Sequence, residues 1–260
     1  MNDEAVIKIN DLTVAYEGNP ALWNINLNIK KGVLMAVVGP NGAGKSTLIK
    51  AILNLIKPVT GNITFYGKSY KSQRNKIAYV PQRGSVDWDF PTTTLDVVEM
   101  GRYGKIGWIK RVSQKERMLA REAIKKVEME GFENRQISQL SGGQQQRVFL
   151  ARALVQDADI YFMDEPFQGV DSKTEKSIIN ILKKLRDDGK TVIVVHHDLH
   201  TVEEYFDYIT FINVSIISTG KVQEEFTKMN IEKTYKAHTF IEQREVWFGK
   251  YTFFIKWPYI

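Results

Sequence analysis

The 260-residue chain contains no cysteine, and its apolar residues form only strand-sized runs, too short to cross a bilayer. The lack of cysteine excludes disulfides and thiolate metal sites, which fits a reducing compartment. The first four residues are polar and acidic, without the basic and apolar regions of a signal peptide. We therefore expect a soluble protein whose 43% hydrophobic residues build one large α/β domain or two small ones.

The chain also lacks concentrated charge, although it is basic. Its net charge is +6 and its pI is near 9.2, which permits contact with nucleic acid or with an anionic membrane surface. Lys and Arg are scattered among Asp and Glu along the whole sequence, and no basic tract is interleaved with aromatic residues. We therefore expect an ordinary solvated surface and no nucleic-acid partner.

A glycine-rich loop separates a predicted strand from a predicted helix. Residues 33–38 are apolar, as in a strand buried on both faces, and residues 48–53 carry apolar side chains at helical spacing. The loop matches G-x-x-x-x-G-K-[ST], in which backbone N–H groups and a helix N-terminus bind phosphate. Its predicted nucleotide-binding residues are Gly39, Pro40, Asn41, Gly42, Ala43, Gly44, Lys45, Ser46 and Thr47. Lys45 is expected to reach the β- and γ-phosphates of a bound nucleotide, and the Ser46 hydroxyl to hold Mg²⁺.

The remaining pattern predicts two kinds of sheet and a block of helices. Apolar residues alternate over residues 5–29, which predicts an antiparallel sheet with one wet face. Further strands are predicted at residues 62–67, 77–80, 160–164, 191–195 and 209–212. The period becomes helical between about residues 83 and 155, and Ser113 to Glu116 predict a capping box that begins a helix. The fold class is therefore α/β, with a mostly parallel core sheet, an antiparallel β subdomain and a helical subdomain.

Ionisable side chains follow two of the predicted buried strands. Asp164 and Glu165 come at the end of one strand, and ligands of open α/β sheets bind at that edge. Asp164 suits a Mg²⁺ contact, and Glu165 suits the base that acts on an attacking water. His196 and His197 follow the next strand. A histidine there is commonly a satisfied core group, but the shared edge favours a function for one of the two.

A second glycine segment comes before another apolar helix. It contains Ser141, Gly142, Gly143 and Gln144. These residues fit a second anion-binding helix N-terminus, and they equally fit a plain cap with a glycine entry loop. Asp171 is expected to cap the helix that stops near residues 187–189.

Taken together, these motifs closely resemble the ATP-binding subunit of ABC transporters over about residues 5–230. The resemblance is carried by Walker A at Gly39 to Thr47, the Q-loop at Gln82, the signature sequence at Leu140 to Gln144, Walker B ending at Asp164, Glu165, the D-loop at Asp171 and the switch histidine at His197. It implies that Lys45, Gln82, Glu165 and His197 serve ATP hydrolysis. It also implies that Tyr16 stacks on adenine and that Ser46, Gln82 and Asp164 hold Mg²⁺.

The same resemblance implies a head-to-tail homodimer. Each ATP would lie between Walker A of one subunit and Ser141 to Gln144 of the other, with the D-loop at Asp171 beside it. ATP would stabilise the closed dimer, and hydrolysis would let it open. Gln82 would sense the γ-phosphate and flank the groove into which an integral-membrane permease inserts a short helix.

Several segments are similar to the manganese, zinc and iron importer branch of the family. They are residues 80–91, 100–103 and 167–171, together with the doubled histidine. The similarity implies an indirect partnership with an extracytoplasmic metal-binding protein, and a peripheral position on the cytoplasmic face of the membrane. Asp87 and Asp89 are expected in a solvated loop that faces the permease rather than as metal ligands.

An importer ATPase for iron-siderophore or cobalamin is an alternative. An alternative of another class is a soluble ABC ATPase acting on nucleic acid or ribosomes, which a single Walker A without sustained heptads disfavours.

We predict a single ABC ATPase domain over residues 1–230. Within it, residues 1–82 and 156–230 form a RecA-like core with the antiparallel subdomain, and residues 83–155 form the helical subdomain. Residues 231–260 are a C-terminal extension of unknown role. Its aromatic end, residues 247–260, matches no pattern. Packing on the core is favoured, and docking of a partner or contact with the membrane are the alternatives.

Overall fold

A computed structural model describes residues 5–107, 112–236, 245–248 and 251–254. The strands are β1 (Ala5–Tyr16), β2 (Asn19–Lys30), β3 (Leu34–Val38), β4 (Thr60–Phe65), β5 (Ile77–Val80), β6 (Ile160–Asp164), β7 (Thr191–Val195), β8 (Tyr208–Asn213), β9 (Ser215–Lys221), β10 (Glu245–Phe248) and β11 (Tyr251–Phe254). The helices are α1 (Lys45–Ile52), α2 (Tyr70–Gln73), α3 (Thr94–Met100), α4 (Tyr103–Ile106), α5 (Gln114–Lys126), α6 (Gly142–Leu154), α7 (Ser172–Asp187), α8 (Val202–Tyr205), α9 (Val222–Glu225) and α10 (Lys228–Lys236). In this part of the chain, every helix is too short or too polar to cross a membrane.

The core sheet has six strands in the order β5-β6-β7-β3-β8-β9. All neighbours are parallel except β8 and β9, which pair antiparallel at one side of the sheet. Strands β3, β6 and β7 are buried at every position, because both faces of the sheet are covered. The carboxyl ends of the parallel strands therefore meet at one edge, as the sequence predicts.

The antiparallel sheet has the order β2-β1-β4 and one solvated face. In β2, Ile25, Leu27 and Ile29 are buried while Asn24, Asn26 and Asn28 are exposed. The strand predicted at residues 62–67 is wrong by two residues at each end, since β4 covers Thr60–Phe65. Tyr66 and Gly67 leave the strand because their φ angles of 50° and 72° place them in a left-handed turn.

Helices α3 to α6 lie between β5 and β6 in the chain, where the sequence predicts the helical subdomain. The predicted capping box of α5 is only half right. The Ser113 hydroxyl accepts from the Glu116 backbone N–H at 3.3 Å, but the Glu116 carboxylate accepts from Nε of Arg102 instead of returning to the cap. This hydrogen bond lowers the pKa of Glu116. A long-range ion pair has therefore displaced the local contact.

The C-terminal helix α10 packs on the core sheet. The Asn213 side chain donates to the Thr234 carbonyl at 2.9 Å, and Thr234 is fully buried. Helix α10 spans the predicted boundary at residues 230 and 231, and that boundary stays a prediction. Strands β10 and β11 pair antiparallel. The remainder of the aromatic segment 247–260 lies outside the described residues.

Candidate active site

The glycine loop lies so close to neighbouring backbone that side chains are excluded at two positions. A Cβ on Gly39 would stand 2.0 Å from the Ile212 carbonyl oxygen, and one on Gly44 would stand 2.5 Å from that of Ala21. Gly44 also has a φ of 91°, which L-residues rarely adopt. The loop between β3 and α1 therefore packs directly against neighbouring backbone at these two glycines.

Helix α1 begins without a side-chain cap. Its N-cap is Gly44, no side chain accepts from its first N–H groups, and no acidic residue occupies its first turn. Helices α3, α5, α6 and α7 each have a side-chain cap. The uncapped N–H groups and the positive end of the helix dipole suit a phosphate group.

Lys45 lies inside the loop and is only 7% exposed. Its Nζ donates to the carbonyl oxygens of Gly39 at 2.7 Å and of Pro40 at 2.8 Å. Burial lowers the pKa of Lys45, while the carboxylates of Glu165 and Asp164 oppose that shift. The loop therefore holds a desolvated amino group beside its free N–H donors.

Ser46 and Asp164 are joined across 118 positions of sequence. The Ser46 hydroxyl donates to Oδ1 of Asp164 at 3.1 Å, and Asp164 is 1% exposed. Burial raises the pKa of Asp164, and the hydrogen bond from Ser46 partly offsets this. The Ser46 hydroxyl and the buried Asp164 carboxylate are two hard oxygen donors, the kind of ligand that Mg²⁺ prefers.

Glu165 and Gln82 form the next contact along this edge. Nε2 of Gln82 donates to Oε2 of Glu165 at 3.0 Å. Glu165 has a φ of 53°, an uncommon conformation for a residue with a side chain. Such strain costs roughly 1 kcal/mol or more and is concentrated at functional sites. The structure therefore brings together the two residues that the sequence places at the ends of β5 and β6.

The two adjacent histidines differ sharply in exposure. His196 is 2% exposed, and its Nε2 lies 2.8 Å from the Thr201 hydroxyl. That hydroxyl donates to the Asp198 carbonyl, so it accepts from Nε2–H of a neutral imidazole. Burial lowers the pKa of His196 to about 4. His197 is exposed at the same edge, so it is the one available to a ligand.

The signature segment stands apart from the glycine loop. Among the described residues, no hydrogen bond joins the segment 141–144 to the loop at residues 39–47. Ser141 instead forms a complete capping box with Gln144, at 3.3 Å and 2.9 Å. These residues border a cavity of about 470 Å³. Its other lining residues are Glu128, Met129, Phe132, Arg147, Gly169, Val170, Asp171 and Thr174. Tyr16, at the end of β1, is 48% exposed.

Arg147 joins α6 to α7 in a network that the sequence analysis missed. Its Nη2 donates to the Thr174 hydroxyl at 3.0 Å, and its Nη1 donates to Glu128 at 3.2 Å. The Thr174 N–H in turn donates to Asp171 at 2.8 Å, which confirms the predicted cap of α7. Helical spacing offered one signal for Arg147. It follows Gln144 by three positions, which places both residues on the same face of α6. Its partners on α7 could not be inferred locally.

The loop after Gln82 carries the two acidic residues that the sequence assigns to a solvated surface. Asp87 and Asp89 are both exposed, and the Asp89 N–H donates to Oδ1 of Asp87 at 3.1 Å. Trp88 lies between them, half-buried, with its Nε1 donating to the Arg83 carbonyl at 2.9 Å. The loop is therefore anchored by its tryptophan and leaves both carboxylates in solvent.

One edge of a parallel sheet carries a glycine loop before an uncapped helix, a buried lysine, a Ser–Asp pair and a Gln–Glu pair. These features define a P-loop nucleoside triphosphatase. The profile of the ABC transporter family matches residues 22–168. The chain belongs to the ABC transporter family. The predicted fold class and the prediction of an ABC-type ATPase are thereby confirmed.

Individual relatives agree with this assignment. The chain is 56% identical over 229 residues to the zinc transport system ATP-binding protein TroB of Treponema pallidum (strain Nichols), covering 88% of this chain and 86% of that protein. It is 55% identical over 239 residues to the manganese transport system ATP-binding protein MntB of Bacillus subtilis (strain 168), covering 92% and 96%. A dimeric ATP-binding cassette solved in a post-hydrolysis state with ADP and Pi superposes with a TM-score of 0.75 at 35% identity, covering 83% of this chain and 98% of that one.

Proposed function

We propose that this chain is the ATP-hydrolysing, energy-coupling subunit of an ABC importer for a divalent transition metal such as manganese, zinc or iron. The observation that carries the ATPase assignment is the single sheet edge that gathers Lys45, the Ser46–Asp164 pair and the Gln82–Glu165 pair. The metal class is supported by the relatives, which are named as zinc and manganese transport subunits. The metal is the cargo of the whole transporter.

The side chains at this edge divide the work of hydrolysis among themselves. The Lys45 ammonium and the free N–H groups of α1 bind the β- and γ-phosphates. The Glu165 carboxylate accepts a proton from the attacking water, and the Gln82 amide orients that water. His197 donates a hydrogen bond to the γ-phosphate from the same edge. Ser46, Asp164 and Gln82 would hold Mg²⁺, which would supply positive charge against the phosphate oxygens.

A second copy of the chain completes each site. Gly143 supports this part of the proposal, because a Cβ there would make only ordinary contacts at 3.7 Å or more within its own chain. Within residues 5–107 and 112–236, nothing requires a glycine at this position, whereas a phosphate approaching from a partner would. Ser141 to Gln144 and Asp171 therefore face the nucleotide of the other subunit, and Tyr16 stacks on the adenine of its own.

The groove beside Gln82 receives the permease. The exposed loop with Asp87 and Asp89 borders this groove, and the permease in turn works with an extracytoplasmic metal-binding protein. The chain thus acts peripherally at the cytoplasmic face of the membrane. We also propose the domain limits given above, with residues 83–155 as the helical subdomain. Helices α3, α5 and α6 support this limit, because they pack on one another between β5 and β6.

The test is metal accumulation in cells that lack the chain. We expect uptake of Mn²⁺, Zn²⁺ or iron to fall, and to return with the wild-type chain but not with Glu165→Gln. Loss of siderophore-bound iron or cobalamin uptake alone would instead support the alternative importer. Co-purification with ribosomes or nucleic acid, and with no integral-membrane protein, would contradict the transport assignment.

A further inference from the structure

Two adjacent residues of the chain bind to two different halves of the ATPase machinery. Nε2 of Gln82 donates to Oε2 of Glu165, the predicted base of its own site, at 3.0 Å. Nε of Arg83 donates to Oε1 of Gln145, on the signature helix α6, at 3.2 Å. Because a single peptide unit joins the two residues, a backbone displacement at Gln82 that the intervening φ and ψ angles do not absorb also displaces Arg83.

Gln145 is a rigid point of attachment. It is 4% exposed, and its Nε2 donates to the Ile137 carbonyl at 3.0 Å. Its amide is therefore held on both sides, with the oxygen bound to Arg83 and the nitrogen bound to backbone. Because the side chain cannot rotate without losing a buried hydrogen bond, a displacement of Arg83 is passed to α6.

The guanidinium of Arg83 also covers the first glycine of the signature. A Cβ on Gly142 would stand 2.7 Å from Nη1 and 2.9 Å from Cζ of Arg83. Arg83 thus occupies the space that any side chain at this position would need. A Cβ on Gly169, in the loop after β6, would be 3.7 Å from the same Nη1. The Arg83 side chain therefore lies between the signature and that loop.

The backbone of Arg83 is tied to α6 by a second route. Its carbonyl accepts from Nε1 of Trp88 at 2.9 Å. The Trp88 ring packs edge-on against Phe149 of α6, with ring centroids 4.9 Å apart. The segment that follows Gln82 therefore contacts α6 at two places. Arg83 binds Gln145 in the first turn, and Trp88 packs on Phe149 about one turn later.

We propose that Arg83 is a positioning residue that couples the Gln82–Glu165 contact to the orientation of the signature helix. When Gln82 exchanges Glu165 for nucleotide, Arg83 moves the N-terminus of α6, which serves the second copy's site. The proposal rests on the proposed function, because it needs ATP hydrolysis by a two-copy assembly. It assigns to Arg83 no contact with the reacting atoms.

The first test measures phosphate release and nucleotide affinity of the full-length chain. Arg83→Met keeps the aliphatic stem and removes the guanidinium. We expect hydrolysis at saturating ATP to fall about tenfold. The affinity of the single chain for a fluorescent ATP analogue should stay within about twofold, because the loop at residues 39–47 is untouched. Arg83→Lys, which keeps the charge without the planar Nε, should recover little of the rate.

A double-mutant cycle separates coupling from general damage. Gln145→Met should lower the rate at least as much, because it also removes the hydrogen bond to the Ile137 carbonyl. The double variant should be no slower than Gln145→Met alone, because the contact with Arg83 is already lost there. Arg121→Met is the matched control, since Arg121 is an exposed arginine of the same helical subdomain, on α5. We expect its rate to equal that of the wild type.

Two results would overturn the inference while leaving the ATPase assignment intact. One is an Arg83→Met chain that hydrolyses ATP at the wild-type rate, and the other is a pair of losses that multiply in the double variant. If Arg83→Met fails to fold, Arg83→Gln is held to the same two criteria. A wild-type chain that releases no phosphate would instead remove the proposed function, and this inference with it.

Discussion

The two glycine segments of this protein differ in how completely the single chain encloses them. Around the loop at residues 39–47, Lys45 and Asp164 are 7% and 1% exposed, and hydrogen bonds tie both to neighbouring elements. At the signature, Ser141 is exposed and Gly142 to Gln144 are partly exposed beside an open cavity. The first half-site is built within the chain, whereas the second is an open surface, which fits our proposal that a partner completes it.

The helices behind the two segments show the same contrast. Helix α1 leaves its first N–H groups without a side-chain cap, while α6 satisfies its own with Ser141 and Gln144. An uncapped N-terminus binds an anion strongly, and a capped one has fewer donors to offer. We infer that α1 supplies most of the phosphate affinity, and that α6 adds to it only when two chains close together.

The largest expected effect is on the enclosed half-site, at Glu165. Replacing Glu165 with Gln keeps the size of the side chain and a hydrogen-bonding partner for Gln82, but removes the base. We expect turnover to fall at least ~10²-fold, with ATP binding retained. Phosphate release measured against Glu175→Gln, an acidic residue on α7, is the check. Hydrolysis at the wild-type rate would show that Glu165 is not the base.

The free energy of unfolding should also depend on pH, through His196 at the same sheet edge as the enclosed half-site. Its pKa is about 4 in the folded chain and 6.5 when unfolded, so the unfolded chain binds more protons between these values. Stability is therefore complete above pH 6.5 and is lost as pH falls toward 4. The loss approaches about 3 kcal/mol, and His197 and Asp198 act on the pKa of His196 in opposite directions.

Urea unfolding between these pH values tests this expectation. His196→Gln should flatten the pH profile, whereas His200→Gln, at an exposed position, should leave it unchanged. An identical profile for the His196 variant and the wild type would mean that another group carries the dependence.

Loss of the Lys45 ammonium should weaken nucleotide binding by about ten- to a hundredfold, since a charged donor to phosphate is removed. Lys45→Ala also removes the two hydrogen bonds that span the loop. Equilibrium titration with a fluorescent ATP analogue measures the effect, and Lys50→Ala, an exposed lysine of α1, is the control. Unchanged affinity in Lys45→Ala would refute the assignment.

The smallest effect distinguishes two helix caps that share one type of hydrogen bond. Ser113 and Ser141 each accept from a backbone N–H at 3.3 Å, so Ser113→Ala and Ser141→Ala should each cost about 1 kcal/mol of stability. Only Ser141→Ala should also slow hydrolysis, because only α6 faces the second copy's site. If both variants slowed hydrolysis equally, the open half-site would have no special role.

The sequence predicts the enclosed half well because its signals are local. A buried strand, a glycine loop and a helix follow each other directly, and parallel strands necessarily bring their carboxyl ends together, so Ser46 and Asp164 could be placed at one edge. Strand β4 ends two residues before its predicted end because Tyr66 has a positive φ. No residue pattern predicts that conformation for a tyrosine.

Contacts between distant elements could not be predicted. Glu116 had the spacing of a capping box, yet its carboxylate binds Arg102, which local pattern does not reveal. The same holds for Arg83 with Gln145 and for Arg147 with Thr174. The sequence could not separate His196 from His197 without the resemblance, because burial of one of two adjacent side chains is decided by the helices that pack over the sheet.

The most direct measurement of the central claim is the mass of the Glu165→Gln chain in sedimentation equilibrium, with and without Mg-ATP. We expect a monomer without nucleotide and a dimer with it, and we expect Ser141→Ala in the same background to weaken the dimer. A nucleotide-loaded chain that stays monomeric at high concentration, with its permease also present, would contradict the account of two half-sites completed by a second copy.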